Sequence, residues 1–539
     1  MPEKRALLAV AAVVVLGLLL GATTWGYPWT ILDTPTFTYT ARVILHGGAP
    51  YRDSFDVKGP GVHFAFTLAA LAFGESARGM RIFEVIWQMA TALALFAVAC
   101  RVWGGVPAGA IAASIYLLAY YSTEWWALAQ PDGMVSLPLA IAAWCVMCSE
   151  DRAGWVPWFA ASFFIGVAAL FKLPLGLAGL FVLWASFSPD GWRSFARRAA
   201  PMLFGLAAPF AVAAFYLQAR GALQDFLFSQ FVVAPQYAAF WRATMSGACL
   251  RENLLRLSNV SVVALLGFAA AVMLFGWRDS AMRSWKRSVL YVWLGVALLV
   301  LVVHGSFLLY HFHSLIAPLA LLAAGPASGT LAAPRSSPVL RRLAVAAVLL
   351  LLLGSAARQV RRNFLLAEAF RAENFASDYW LRLGHALRDR TSPGDRICIW
   401  GNAPVLYLHS QRDSATRFIY MIFFADPFAH FNLKAAFLDE FRAGHPAYFV
   451  LMKQHPARAC AAMTRIDEFP AYQSFTELRR IIATGYVLEQ EDEQMLMYRR
   501  ADYSGGAGNP ATPNGHHAQL GADPPPGGPA FPCGASPVP

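Results

Sequence analysis

Charge is scarce in this chain. Asp, Glu, Lys and Arg together make up only 14% of its 539 residues, against roughly 25% in a soluble globular protein. That shortage excludes an ordinary water-soluble fold, and the 57% hydrophobic content and mean hydropathy of +0.46 agree. Cysteine is scarce too: seven scattered residues cannot build a disulfide framework. Cys145 and Cys148 form a C-x-x-C, but inside an apolar run, where small buried residues are the ordinary reading. Cys398 and Cys460, both in the segment after residue 357, could pair, though spacing alone decides nothing. Internal repeats are missing, which argues against the repeat-built transporter folds. Acidic residues are outnumbered, giving a net charge of +11. The excess does not indicate nucleic acid, because the basic residues sit in short loops between apolar runs, as the positive-inside rule requires.

What the chain has in abundance is long apolar segments. Runs suited to crossing a bilayer of about 20 residues' thickness cover 6–24, 82–103, 106–121, 133–149, 155–171, 173–188, 199–218, 254–276, 288–308, 311–328 and 343–357. The expected class is therefore a polytopic α-helical membrane protein with about eleven crossings. The first run follows Lys4 and Arg5 and lacks an A-x-A site, so it reads as a retained anchor. The segment Gly61–Gly74 is too short for a crossing and suits an interfacial or re-entrant helix. With Met1 in the cytoplasm, "SEDRAG", "SPDGWRSFARR", "WRDSAMRSWKRS" and "PRSSPVLRR" all fall on the cytoplasmic side. Counting 61–74 as a span would invert them.

This topology places the loop 25–81, the turn 122–132, the loop 219–253 and everything after about 357 on the outer face. The chain then divides into a membrane domain over 1–357, a charged segment 358–500 and a Gly/Pro-rich tail 501–539. Short strand-like runs such as "RICIWG", "AYFVLM" and "QMLMYRR" mark 358–500 as a small α/β domain. The tail cannot bury a core and is expected to be disordered, so His516 and His517 receive no metal role.

Polar residues concentrate at the outer ends of the spans, where ionisable groups are costly and weighted towards function. Asp33 follows the first span. "YRDSFDVKGPG" supplies Asp53, Asp56 and Lys58, "AQPDGM" supplies Asp132, and "YHFHS" supplies His311 and His313. Each has a plain competitor. Asp33 and Asp132 could be helix N-caps, Lys58 and Arg81 interfacial anchors, and His313 a satisfied core residue. Convergence on one face favours a site for charged-group chemistry. Lys172 lies within the bilayer by length and needs an anionic partner, for which Glu84 is a candidate.

Asp33, "ARVILHGGAPYRD", "KGP" and "AFGESARGMRIFE" together resemble the first outer loop of the GT-C class, the polyprenyl-phosphate-dependent membrane glycosyltransferases. These include the protein O-mannosyltransferases, the lipid A aminoarabinose transferase and the lipopolysaccharide-core galacturonosyltransferases. "AQPDGM", "ALFKLPLGLAGL", "HFHSLIAPLALLAA" and "GDRICIWGNAPVLYLHSQRDSATRFIY" resemble later motifs of the class, so the likeness covers roughly 1–450. In one respect the chain departs: most members carry an acidic pair after the first span, and here Asp33 is followed by Thr34.

The resemblance implies a multi-pass protein of a bacterial inner membrane whose active site faces the periplasm. It would move a sugar, with inversion, from a polyprenyl-phosphate (undecaprenyl-phosphate-type) donor to a hydroxyl on a glycan, lipid or protein. Such chemistry needs a base for the acceptor and positive charge for the leaving phosphate. The expected roles are Asp33 as base, Lys58, Arg81, His313 and Lys172 at the phosphate, and Asp132, Asp56 and Asp53 at the substrates. No metal ligand set is assigned; a divalent cation is left open. A transporter, flippase or polymerase of lipid-linked saccharides is the alternative, and a non-catalytic scaffold the third reading.

Overall fold

A computed structural model describes residues 2–29, 33–150, 154–187, 191–244, 250–252, 285–332, 338–372, 379–426, 428–453 and 468–505. The expected span 254–276, Cys460, and His516 and His517 of the tail lie outside these residues.

The chain forms two compact units. The first comprises Met1–Trp29, Thr40–Arg52 and Asp56–Glu373; the second comprises Thr30–Tyr39, Asp53–Phe55 and Asn374–Pro539.

The first unit is a helical bundle: α1 (Pro2–Ala22), α2 (Asp33–Leu45), α3 (Pro60–Phe73), α4 (Ala77–Trp103), α5 (Val106–Tyr121), α6 (Pro131–Met134), α7 (Ser136–Met147), α8 (Val156–Phe171), α9 (Gly179–Ser186), α10 (Trp192–Ala219), α11 (Leu223–Phe228), α12 (Ala234–Thr244), α13 (Trp285–His304), α14 (His313–Ala332) and α15 (Pro338–Ala372). Only the second half of α2, from Thr40, counts in this unit. Among the described residues, four helices, within α1, α4, α10 and α13, are long and apolar enough to cross a membrane. Shorter apolar helices of 10–17 residues among the described residues lie over the predicted spans 106–121, 133–149, 155–171, 173–188 and 311–328, and a further one is Pro60–Phe73, which the sequence reads as too short for a crossing; the span 343–357 lies within the longer α15. The boundaries are set by familiar signals. Ser76 accepts from the Gly79 N–H to start α4, and left-handed Gly104 ends it. Prolines open α3, α5 and α8. Helix α15 runs on to Ala372, fifteen residues past the last predicted apolar stretch, because "RQVRRNFLLAEAF" retains good helix formers after the apolar run stops.

The second unit holds a five-stranded mixed sheet in the order β2-β1-β3-β5-β4: β1 (Arg396–Trp400), β2 (Asp413–Ser414), β3 (Tyr448–Met452), β4 (Tyr486–Glu491) and β5 (Met495–Arg500). Strands β1, β2 and β3 run parallel, and β5 and β4 add antiparallel pairs. The three strands expected from the sequence are present. Strand β3 is buried along its whole length, as a central strand covered on both faces must be. The Trp400 ring sits within 6.0 Å of Phe424, Phe437, Tyr472 and Phe475, which makes an aromatic core. Two stretches of the first loop belong here as well. The Ser414 N–H donates to the Tyr39 hydroxyl at 2.7 Å, and Phe55 packs on Phe418 and Phe423. Cys398 of β1 is buried and bonded to no other cysteine among the described residues.

Candidate active site

The site is built in the first unit around Asp132. Pro131 occupies the first turn of α6 and fixes the backbone there, which presents Asp132 one residue later. The carboxylate is 1% exposed, and a buried charge requires a partner. That partner is Lys172, whose Nζ lies 3.3 Å from Asp132 Oδ2 and 3.5 Å from Oδ1. Lys172 follows the last residue of α8, where the helix breaks before Leu173-Pro174.

The same ammonium is 3.2 Å from His311 Nε2. An ammonium only donates, so Nε2 must accept, and the ring proton is placed on Nδ1, which faces the Ser306 hydroxyl at 3.4 Å. His304 stacks on His311 with ring centroids 4.6 Å apart, and its Nδ1 lies 4.0 Å from Asp132 Oδ1. Among the described residues neither His304 ring nitrogen has a hydrogen-bond partner. His313 opens α14 on the other flank, where its Nε2 meets the Thr123 hydroxyl at 3.1 Å and its ring packs on Tyr120. Gly133 lies between: a Cβ there would come within 2.8 Å of the Tyr120 ring and 3.0 Å of His313 Nδ1.

Helix α4 supports this cluster through two residues one turn apart. Glu84 accepts from Arg81 Nη1 at 2.8 Å, from the Tyr120 hydroxyl at 2.5 Å and from the Ala129 N–H at 2.5 Å. Trp87 Nε1 donates to the Met134 carbonyl at 2.8 Å. The segment carrying Asp132 is therefore gripped at both ends. Ala129 adopts a left-handed backbone, φ 59°, a strained conformation that persists only where the surroundings impose it; the Glu84 contact is such a constraint.

The "KGP" motif reaches the same region by backbone contact. A Cβ on Gly59 would lie 2.1 Å from the Leu170 carbonyl, and the Gly59 N–H donates to the Phe171 carbonyl at 3.3 Å. Only glycine allows this approach, which brings the residue after Lys58 against the residue before Lys172. The Lys58 carbonyl accepts from the Tyr51 hydroxyl at 2.9 Å and from Gln230 at 3.1 Å. Its ammonium lies 5.8 Å from the centre of the Tyr237 ring. Asp56, two residues earlier, is buried against His63, with Oδ2 3.5 Å from Nε2.

The structure thus brings Asp132, Lys172 and His311 together, with His313 beside them. Arg81 is committed to Glu84 and to the Trp125 carbonyl at 3.1 Å. The expectation that Glu84 pairs with Lys172 is corrected: Arg81 takes Glu84, and Asp132 takes Lys172. Asp33, at the start of α2, and Asp53 belong to the second unit, and both are half-buried. Sequence reasoning missed His304, although a single ionisable residue closing the apolar run of α13 was a legible signal. Asp132, His304 and His311 offer ligand atoms within 4.8 Å of one another, a spacing that a metal ion could bridge. The Lys172 ammonium draws on the same carboxylate and imidazole, so a cation at this point competes with Lys172.

Comparison with known proteins agrees with this architecture. Residues 57–217 match the family model of dolichyl-phosphate-mannose-protein mannosyltransferases, and this stretch carries the KGP loop, Glu84, Asp132 and Lys172. No curated protein matches the chain. The structure of ArnT from Cupriavidus metallidurans bound to undecaprenyl phosphate aligns with a TM-score of 0.59 at 13% identity, covering 92% of this chain and 98% of ArnT. The chain has the GT-C fold. The apo state of the same ArnT aligns with a TM-score of 0.55 over 91% of this chain and 98% of that one. Arabinofuranosyltransferase AftD from Mycobacteria aligns with a TM-score of 0.52 at 13% identity, over 93% of this chain and 42% of AftD. The GT-C likeness read from the sequence is borne out by the family model and by the fold, and the apolar helices agree with a membrane protein.

Proposed function

We propose that the chain is an inverting glycosyltransferase of a bacterial inner membrane. It takes a sugar from a polyprenyl-phosphate donor and passes it to a hydroxyl of a cell-envelope acceptor on the periplasmic face. The observation that carries the reading is the Lys172 ammonium held between Asp132 and His311 in a buried cluster. In the transfer, the acceptor oxygen attacks the anomeric carbon as the bond to the phosphate oxygen breaks. The acceptor proton passes to a carboxylate, and the bonding pair leaves with the phosphate. Asp33 is our base. Lys172 and Lys58 supply positive charge to the leaving phosphate, with His313 as a donor beside them. In a site that excludes water such charges act at far greater strength than in solution. Asp132 orients Lys172, and Asp53 and Asp56 serve the substrates. Arg81 neutralises Glu84 and so acts on the site through the segment that Glu84 holds.

The mannosyl transfer from dolichyl phosphate that names the matching family, and the lipid bound to ArnT, support a polyprenyl-phosphate donor. The test is mass spectrometry of envelope glycolipids from strains carrying the wild-type chain, Asp33→Asn or Lys172→Met. Loss of one sugar from one acceptor in both variants, with the proteins still present in the membrane, is the expected result. An unchanged glycan composition in Asp33→Asn overturns the assignment of the base.

A further inference from the structure

Away from the Asp132 cluster, α1 and α15 enclose an open cleft of about 1010 Å³. Two helical stripes line it. Val15, Leu18, Leu19 and Ala22 repeat at i, i+3, i+4 and i+7 on α1, and Val360, Phe364 and Ala367 at i, i+4 and i+7 on α15. The walls are joined by a polar clasp: Gln359 donates to Asn363 at 2.6 Å, and Asn363 donates to the Thr23 hydroxyl at 2.9 Å. Leu18, Leu19 and Phe364 are exposed, as a surface covered by lipid would be.

The rim is not apolar. Arg78 lines it, is exposed, and has no ion pair or hydrogen bond among the described residues. It stands in the first turn of α4, where the helix dipole opposes a cation and favours an anion. Its position is therefore not explained by the stability of α4. Trp25 also lines the rim. A cation above two apolar stripes is complementary to an anionic head group carrying an apolar chain.

We propose that this cleft binds an anionic phospholipid of the surrounding leaflet. The phosphate rests against Arg78 at the rim, and one acyl chain runs along Ala22, Leu19, Leu18 and Val15. The stretch from Val15 to Ala22 gives roughly 10 Å of wall, enough for the upper part of an acyl chain, with the remainder in the bilayer. The proposal requires only that the chain is a membrane protein and stands apart from the transfer chemistry.

The test is native mass spectrometry of the full-length protein, purified in mild detergent and titrated with phosphatidylglycerol or phosphatidylcholine. One retained phosphatidylglycerol and weaker retention of phosphatidylcholine are expected. Arg78→Gln should weaken retention about fivefold, the effect of one basic residue at a lipid surface, and Arg78→Lys should restore it. Leu19→Trp should block the cleft without a change of charge. Equal retention of the two lipids, no effect of Arg78→Gln, displacement by undecaprenyl phosphate, or a mass showing a second copy of the chain in place of lipid would each overturn the proposal.

Discussion

Replacing Lys172 by Met removes an ammonium that lies 3.3 Å from Asp132 and 3.2 Å from His311. The carboxylate is 1% exposed and the Lys172 side chain 19%. Breaking a buried pair by deleting one partner typically costs about 3–5 kcal/mol, because the remaining charge stays buried. Partial exposure of Lys172 places the cost at the lower end. Asp132→Asn should cost a similar amount from the other side. The double variant leaves no uncompensated charge, so the two changes should fall short of additivity by about 0.5–3 kcal/mol. Thermal unfolding of the four proteins in detergent measures that coupling, and sugar transfer measured on the same preparations gives the second readout. If Lys172 serves the leaving phosphate, the double variant regains stability while transfer stays lost. Additive stability losses would refute the ion pair. Recovery of transfer together with stability would refute the catalytic reading and leave a structural pair.

Gly133→Ala should cost about 1–3 kcal/mol by overpacking, since its Cβ would press on the Tyr120 ring and on His313; unfolding midpoints and transfer rates measure it. Zinc should bind more tightly to Lys172→Met than to the wild-type chain, because the ammonium no longer competes at Asp132, His304 and His311; a zinc titration that finds equal affinities counts against the shared position. In the second unit, burial pushes the His409 imidazole down to about 4. The unfolded chain takes up this proton near pH 6.5 and the folded unit only near pH 4, so the stabilising difference is complete above 6.5 and is lost as pH falls towards 4. The slope is at most about 1.4 kcal/mol per pH unit. Hydrogen exchange of the α/β unit across that range should show the loss, and His409→Gln should flatten it.

The apolar runs and their breaks marked the long apolar helices of the first unit, but not α2, α11 and α12, which lie in stretches read as loops. A stretch that cannot be hydrated must be buried or placed in lipid, and a helix is the form that satisfies its own backbone there. Short apolar runs likewise marked β1, β3 and β5. The two-residue β2 and the exposed β4 carry too little apolar pattern to be read and exist because neighbouring strands offer them partners. The residue types of the site were equally visible, since ionisable groups at the ends of apolar runs are conspicuous. Their pairing was not. Glu84 stands three residues from Arg81, but Asp132 and Lys172 are forty residues apart, and no count along the chain says which carboxylate Lys172 meets. That choice was made by packing: α4 aims Glu84 at the Ala129 turn, while glycines at 59 and 133 let separate segments close around Lys172. Local chemistry is written residue by residue, whereas the partner of a buried charge depends on which helices stand next to it.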